Sequence, residues 1–221
     1  MVEQYQSATP AGKGTSPQIA VRIVKEQPDK AYSVGRTLAP QSIQSLVQKT
    51  TVGLPSSVAL IFTDKNVAVQ GTPKGRNSRH GFVNSGAFNT LYMVVGNPEA
   101  NCPECGWPFN KPTSGPQTFQ LQPPNGNVGT DAMVIGLAAA LAETVSNPYN
   151  TGYFLGGDTD PVEAVSACPK TFGSGAFPGF AGKIRIKPGT GACYNAYGVK
   201  GTNFLLPALW NPKTRSCWTL L

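Results

Sequence analysis

Histidine is nearly missing from this chain: His80 is the only one in 221 residues. That scarcity excludes most hydrolase arrangements in which an imidazole activates a nucleophile, since His80 would have to be the base in every one. No Gly-x-Ser-x-Gly elbow is present to raise a serine. Gly173-Ser174-Gly175 is too short for one and reads as a turn. Charge is scarce as well, at 13% of residues, about half the usual quarter. No apolar run reaches the roughly 20 residues that span a bilayer; the longest, Ala132 to Ala142, falls short. Met1 to Thr15 is polar and lacks the apolar core of a signal peptide. Glycine-rich phosphate loops are absent. So is any Asn-x-Ser/Thr sequon, and N-glycosylation is not expected.

What the chain has in quantity is Gly and Pro, 25 and 20 residues, which predicts many turns and irregular loops. This composition, with little Lys and Glu, suits a secreted protein better than a cytosolic enzyme. The net charge of +7 attracts polyanions at long range. Acidic polysaccharide, nucleic acid and anionic membrane all qualify. No basic run with interleaved aromatics marks nucleic acid. The densest basic stretch, Lys74 to His80, reads as a solvated loop, with a phosphate or uronate contact as the alternative.

Five cysteines are present: Cys102, Cys105, Cys168, Cys193 and Cys217. Cys102-Pro-Glu-Cys105 has metal-knuckle spacing, but a zinc ribbon needs a second such pair. A redox pair opens a helix, and Gly106-Trp107-Pro108 is a poor helix start. One or two disulfides with a leftover thiol fit better.

Residues 1–16 read as a disordered lead-in, and residues 17–221 as one domain with no internal repeat. Strands are predicted at Ile19 to Val24, Ser57 to Phe62, Val67 to Gln70 and Phe88 to Val95. Asp64-Lys65-Asn66 is expected to turn a hairpin between the second and third. Ala39 to Lys49 reads as an amphipathic helix with Pro40 in its first turn and Ile43, Leu46 and Val47 on one face. A loop from Gly96 to Gly129 is anchored by Trp107 and Phe109. Residues 131–146 form a helix capped by Asp131 and apolar all round, hence buried. Its one internal charge, Glu143, needs a partner or an opening to solvent. Near the end, Lys183 to Lys187 and Cys193 to Tyr197 read as strands around the Pro188-Gly189-Thr190-Gly191 turn.

Acid/base chemistry on a sugar needs two carboxylates. Asp158, Asp160 and Glu163 lie close together in sequence. The plainer reading is that Asp160-Pro161 caps a short helix through Val165, with Glu163 in its first turn.

Several long blocks resemble the plant EXORDIUM, or phosphate-induced, protein family. They include Trp107-Pro108-Phe109, Pro124-Asn125-Gly126-Asn127-Val128-Gly129, Asn147-Pro148-Tyr149-Asn150-Thr151-Gly152-Tyr153-Phe154, Glu163-Ala164-Val165-Ser166-Ala167-Cys168, Phe172 to Gly179 and Phe204-Leu205-Leu206-Pro207-Ala208. The resemblance runs from about Gln18 to Leu221. It implies an extracellular, wall-associated protein tied to cell expansion and growth signalling, with no enzymatic activity to carry over. The family begins with a signal peptide and a further segment. Against that pattern this chain starts late, as a fragment or a truncated gene model would. Where the family carries Cys-Gly-Thr-His-Gly, the chain reads Asn77-Ser78-Arg79-His80-Gly81, so one family disulfide is expected to be missing. Cys193 stands where the family has no Cys, making it the candidate free thiol. The pairings expected are Cys102 with Cys105 and Cys168 with Cys217.

A fainter resemblance links Ala139 to Pro148 to a bacterial zincin-like helix reading His-Glu-Leu-Ala-Glu-Ala-Val-Thr-Asp-Pro. It implies a degenerate scaffold in which Ala139 and Ala140 replace the metal-binding His and the general base, and Glu143 survives. Zinc hydrolysis needs both lost groups.

The expected fold is therefore α+β, a mixed and mostly antiparallel sheet with a buried helix at 131–146. The expected function is non-catalytic and extracellular, with cell-wall polysaccharide or an extracellular protein as partner, no nucleic acid, no membrane span and no cofactor. The alternative is a glycan-binding module or a glycan hydrolase using Asp158, Asp160 or Glu163. His80, Glu143, Asp158, Asp160 and Glu163 are the candidate relic or surface-site residues.

Overall fold

A computed structural model describes residues 21–84, 89–111, 115–117, 119–152, 155–157 and 162–221. The first half is ordered by periodic apolar patterns. β1 (Thr37–Leu38) leads into α1 (Pro40–Thr51). Pro40 presets the first turn, and Ile43 and Val47, one helical turn apart, are fully buried. β2 (Ala59–Phe62), β3 (Ala68–Val69), β4 (Ser78–Asn84) and β5 (Asn89–Val95) follow. β5 is the central strand of a three-stranded sheet, parallel to β2 and antiparallel to β4.

Side chains alternate across that sheet. Tyr92 and Val94 of β5, with Ala59 and Val83, pack against Ile43 and Val47 of α1. Met93, Val95 and, opposite them, His80 and Ser78 therefore point to the other face. Gly81 is required where it stands, because the Tyr92 ring lies over it and a Cβ there would sit 2.9 Å from the Tyr92 hydroxyl.

The chain then forms α2 (Pro98–Asn101), a 3-10 turn at Pro103–Gly106 and α3 (Val128–Ser146). α3 contacts both β4 and β5. Its other side carries two apolar clusters: Phe109, Leu121, Phe172, Cys193 and Leu205 around Ala132, then Val165 and Leu209 around Ala139. By length and composition α3 could cross a membrane, a longer apolar span than Ala132 to Ala142. Here it is a core helix, and its buried Asp131 and Glu143 both have polar partners.

The last quarter is built from short antiparallel ladders: β6 (Arg185–Ile186) with β7 (Cys193–Tyr194), β8 (Ala196–Tyr197) with β9 (Asn203–Phe204), and β10 (Leu209–Asn211) with β11 (Ser216–Trp218). The β6–β7 pair is the hairpin expected around Pro188 to Gly191. Buried Asn195 ties this region together, donating to the carbonyls of Phe172 (2.8 Å) and Leu206 (2.7 Å) and accepting from the Leu206 N–H (2.8 Å).

The architecture is α+β, but as several small sheets rather than one, among the described residues. Three local expectations change. α3 starts at Val128, capped by Asn127, whose side chain accepts from Thr130 N at 2.8 Å. Asp131 instead accepts from the backbone and side chain of Asn125. Asp64 does form a tight turn, accepting from Asn66 N at 2.9 Å, yet β2 pairs with β5 and β3 with β1, so no hairpin results. Residues 21–24 are exposed and irregular, because alternation alone supplies no partner strand. The proposed lead-in at 1–16 lies outside the described residues.

Candidate functional site

A polar cluster lies where β4, the end of α3 and the turn after Glu163 meet. α3 brings Glu143, whose side chain is 2% exposed. A carboxylate that deep must be paired. Arg76, just before β4, supplies the pair in a two-pronged geometry, 2.7 Å to each carboxylate oxygen. Ser166 closes the triangle, accepting from Arg76 at 2.7 Å and donating to Glu143 at 3.1 Å.

One turn further along, His80 on β4 reaches Glu163 through Nε2 at 2.9 Å. Asn147, the C-cap of α3, donates to the same Glu163 oxygen at 2.7 Å and accepts from Gly152 N at 2.8 Å. Burial pushes the Glu163 carboxyl up. The hydrogen bonds from His80 and Asn147, with the charges of His80 and Arg76, outweigh it and hold the group below its ordinary value of 4.5. The other ring nitrogen of His80, Nδ1, is buried and has no hydrogen-bond partner among the described residues.

His80, Glu143 and Glu163 place their ligand atoms within 4.8 Å of one another, and a His with two carboxylates is a donor set zinc accepts. The residues around it do not suit a metal. Arg76 is a permanent cation that already occupies both oxygens of Glu143, and His80 and Glu163 are bonded to each other. The second grouping, Cys102, Glu104 and Cys105, has its two sulfurs joined as a disulfide.

Three residues named from sequence therefore come together: His80, Glu143 and Glu163. His80 is in a strand, not in a solvated loop, and its side chain is 5% exposed. The solvated loop expected for Lys74 to His80 does not describe its second half, where Arg76 and His80 turn inward to meet acids. Glu163 precedes a single turn, with Ala167 N bonded to its carbonyl, rather than starting a helix. Asp158 and Asp160 lie outside the described residues. Arg76, Asn147 and Ser166 were missed. The signal for Arg76 was present, since a lone Glu on an apolar helix demands a cation and Lys74 to His80 was the densest source. Asn147 was read only as a helix stop.

The other named residues are cysteines. Cys102 is bonded to Cys105, and Cys168 to Cys217 across 49 residues. Cys193 is a buried free thiol whose pKa burial pushes up to about 12, so it is inert near neutral pH.

A family model described as phosphate-induced protein 1 conserved region matches residues 1–220. Protein EXORDIUM-like 2 of Arabidopsis thaliana is 45% identical over 195 residues, covering 86% of this chain and 64% of the relative. Protein EXORDIUM of the same plant is 40% identical over 221 residues, 98% of this chain and 69% of the relative. Protein PHOSPHATE-INDUCED 1 of Nicotiana tabacum is 37% identical over 225 residues, 99% of this chain and 70% of the relative. The chain thus spans about two thirds of the length of these relatives. No solved structure matches it.

Proposed function

This chain belongs to the phosphate-induced protein, or EXORDIUM, family of plants, and we propose that it works in the cell wall as a growth-associated binding protein without turnover. The observation that carries the non-catalytic reading is the closed charge cluster. Glu143 is neutralised by Arg76, and Glu163 is held by His80 and Asn147. General acid/base catalysis needs a carboxyl free to exchange protons with substrate, and these are committed to joining three segments of the fold. The Cys168–Cys217 bridge supports an oxidising compartment, where such bonds persist. Residues 17–221 act in this proposal as one unit.

The test is release of new reducing ends from pectin, xyloglucan and arabinogalactan by the purified chain. None above a boiled control is expected. Release that disappears in Glu163→Gln would overturn the proposal in favour of a glycan hydrolase.

The zincin-like scaffold enters this proposal only as ancestry. α3 does contact β4 and β5, but Ala139 is buried away from that sheet, with Val165 and Leu209, and the fold adds no support for the scaffold. Elemental analysis after zinc loading and desalting should find no retained metal. Near-stoichiometric zinc would contradict the assignment of Arg76 as the resident cation.

A further inference from the structure

Positive charge is distributed very unevenly along the chain. Of the 18 Lys and Arg, seven follow Glu163, and no Asp or Glu does; the first 163 residues hold the other 11 cations against all 11 acids. The whole net charge of +7 therefore resides in the last 58 residues. All seven of these cations are exposed.

Four of them gather around the β6–β7 hairpin and the β8–β9 pair that follows it. Lys183, Arg185 and Lys187 alternate along β6 and its flanks, so they share one face of the strand. That face is turned outward, because Ile184 on the opposite face packs into the core with Cys193. Lys200 sits in the exposed 3-10 turn between β8 and β9.

Two tyrosines stand beside this row. Tyr194 is directly opposite Arg185 in register. Tyr197 is 64% exposed. Their rings meet edge to face at 5.3 Å and their hydroxyls lie 3.2 Å apart. Arg185 donates to the Tyr197 hydroxyl at 2.7 Å, with its guanidinium 5.3 Å from the ring centre. Exposed aromatic rings held this way are pre-ordered, and little side-chain entropy remains to be lost on binding.

We propose that this face, Lys183, Arg185, Lys187, Tyr194 and Tyr197, is a binding site for an acidic polysaccharide of the polyuronate class. A row of cations matches a chain carrying one carboxylate per sugar. The tyrosine pair offers a ring face to the apolar side of a sugar and hydroxyls to its polar edge. An open, flat surface suits a long polymer, where a pocket would suit a small ligand. The same charges could attract single-stranded nucleic acid. The choice of polyuronate rests on the extracellular reading above, because that polymer shares the compartment in which the disulfides persist.

The experiment is affinity measurement of the intact, oxidised chain against polygalacturonate. Its fully methyl-esterified form, single-stranded DNA and phosphatidylserine vesicles serve as comparisons. Binding to polygalacturonate is expected, weakening steeply with salt, with little to the ester. Lys183→Ala/Arg185→Ala/Lys187→Ala should weaken it about tenfold or more, as loss of a focused cationic field does. Lys25→Ala/Lys30→Ala/Lys49→Ala, with the same loss of charge, should change it less than about twofold. If near-ultraviolet dichroism shows the first triple misfolded, Lys183→Gln/Lys187→Gln carries the test. Tyr197→Ala should weaken binding about threefold while leaving net charge intact. Equal weakening by both triples, no binding, or tighter binding to DNA or vesicles would overturn the site. Binding accompanied by new reducing ends would sink the non-catalytic proposal and leave the site standing. Absence of both would do the reverse.

Discussion

The sheet-and-helix region up to Ser146 and the ladder region from Val162 to Leu221 are held by different physics. In the first, stability comes from regular apolar stripes, with Ile43 and Val47 one turn apart on α1 meeting Tyr92 and Val94 two apart on β5. Burying each such side chain contributes about 2 kcal/mol. In the second, ladders two or three residues long are too short to bury a face by themselves. Their order comes from individual fastenings: the Asn195 hub, the Cys168–Cys217 bridge, and the close backbone contact of Gly173 with Gly182 and Lys183 that no Cβ would permit. The first region mixes 11 cations with eight acids, whereas the second sets seven cations against Glu163 alone. The contrast assigns scaffold to one and surface to the other. The Arg76–Glu143–Ser166 and His80–Glu163–Asn147 contacts are the clamp between them.

The sharpest way to break this contrast is to open the bridge. Cys168→Ser with Cys217→Ser should cost about 4 kcal/mol, the chain-entropy value for a closed loop of about 50 residues. Urea unfolding measures the total. Hydrogen exchange should rise in 164–218 well before it rises in β4 and β5, and simultaneous opening would erase the distinction. Next in size is the clamp. Arg76→Ala leaves Glu143 buried without a cation and should cost about 3 kcal/mol. Arg76→Ala/Glu143→Ala should recover part of that loss, giving a coupling above about 1 kcal/mol in a double-mutant cycle. Additive losses would mean the two groups do not act as a pair. Asn195→Ala strips partners from two carbonyls and one N–H and should cost about 2 kcal/mol, read as a lowered melting temperature.

The smallest effect is a pH dependence. Glu163 has a folded-state pKa below its ordinary 4.5. Its contribution is present above 4.5 and is lost as pH falls below 4.5 through the lowered folded value. The stability difference between the wild type and Glu163→Gln should stay constant from neutral pH down to about 4.5 and shrink below it. A difference that already shrinks well above 4.5 would contradict the lowered value.

The first region was legible in the sequence because period writes itself there. The heptad-like spacing of Ile43, Leu46 and Val47 places α1, and the apolar run after Gly129 places α3 as a buried helix. β4 was hidden because its inward side chains Ser78 and His80 are polar, and the partner that His80 meets on burial, Glu163, lies 83 positions away. The hairpin expected at Asp64 failed for a related reason. Its turn chemistry was right, but strand pairing is decided by β5, the more apolar neighbour. In the second region the sequence showed the turn at Pro188 to Gly191 and the strand signals on either side of it, but not the break at Asn195 that splits Cys193 to Tyr197 into two ladders. Asn195 carries no pattern, and the cationic face becomes visible only when Lys183, Arg185 and Lys187 are seen to share the outward side of a strand. For the site, Glu143 announced its need for a partner, while the sequence did not show that Glu163 meets His80 and Asn147.

One measurement tests the division into scaffold and surface most directly: hydrogen exchange of the oxidised chain, resolved by peptide, with and without saturating polygalacturonate. The account predicts protection confined to residues 183–200, with β4, β5 and α3 unchanged. Protection centred instead on residues 76–82 or 143–166 would place the ligand at the clamp and contradict it.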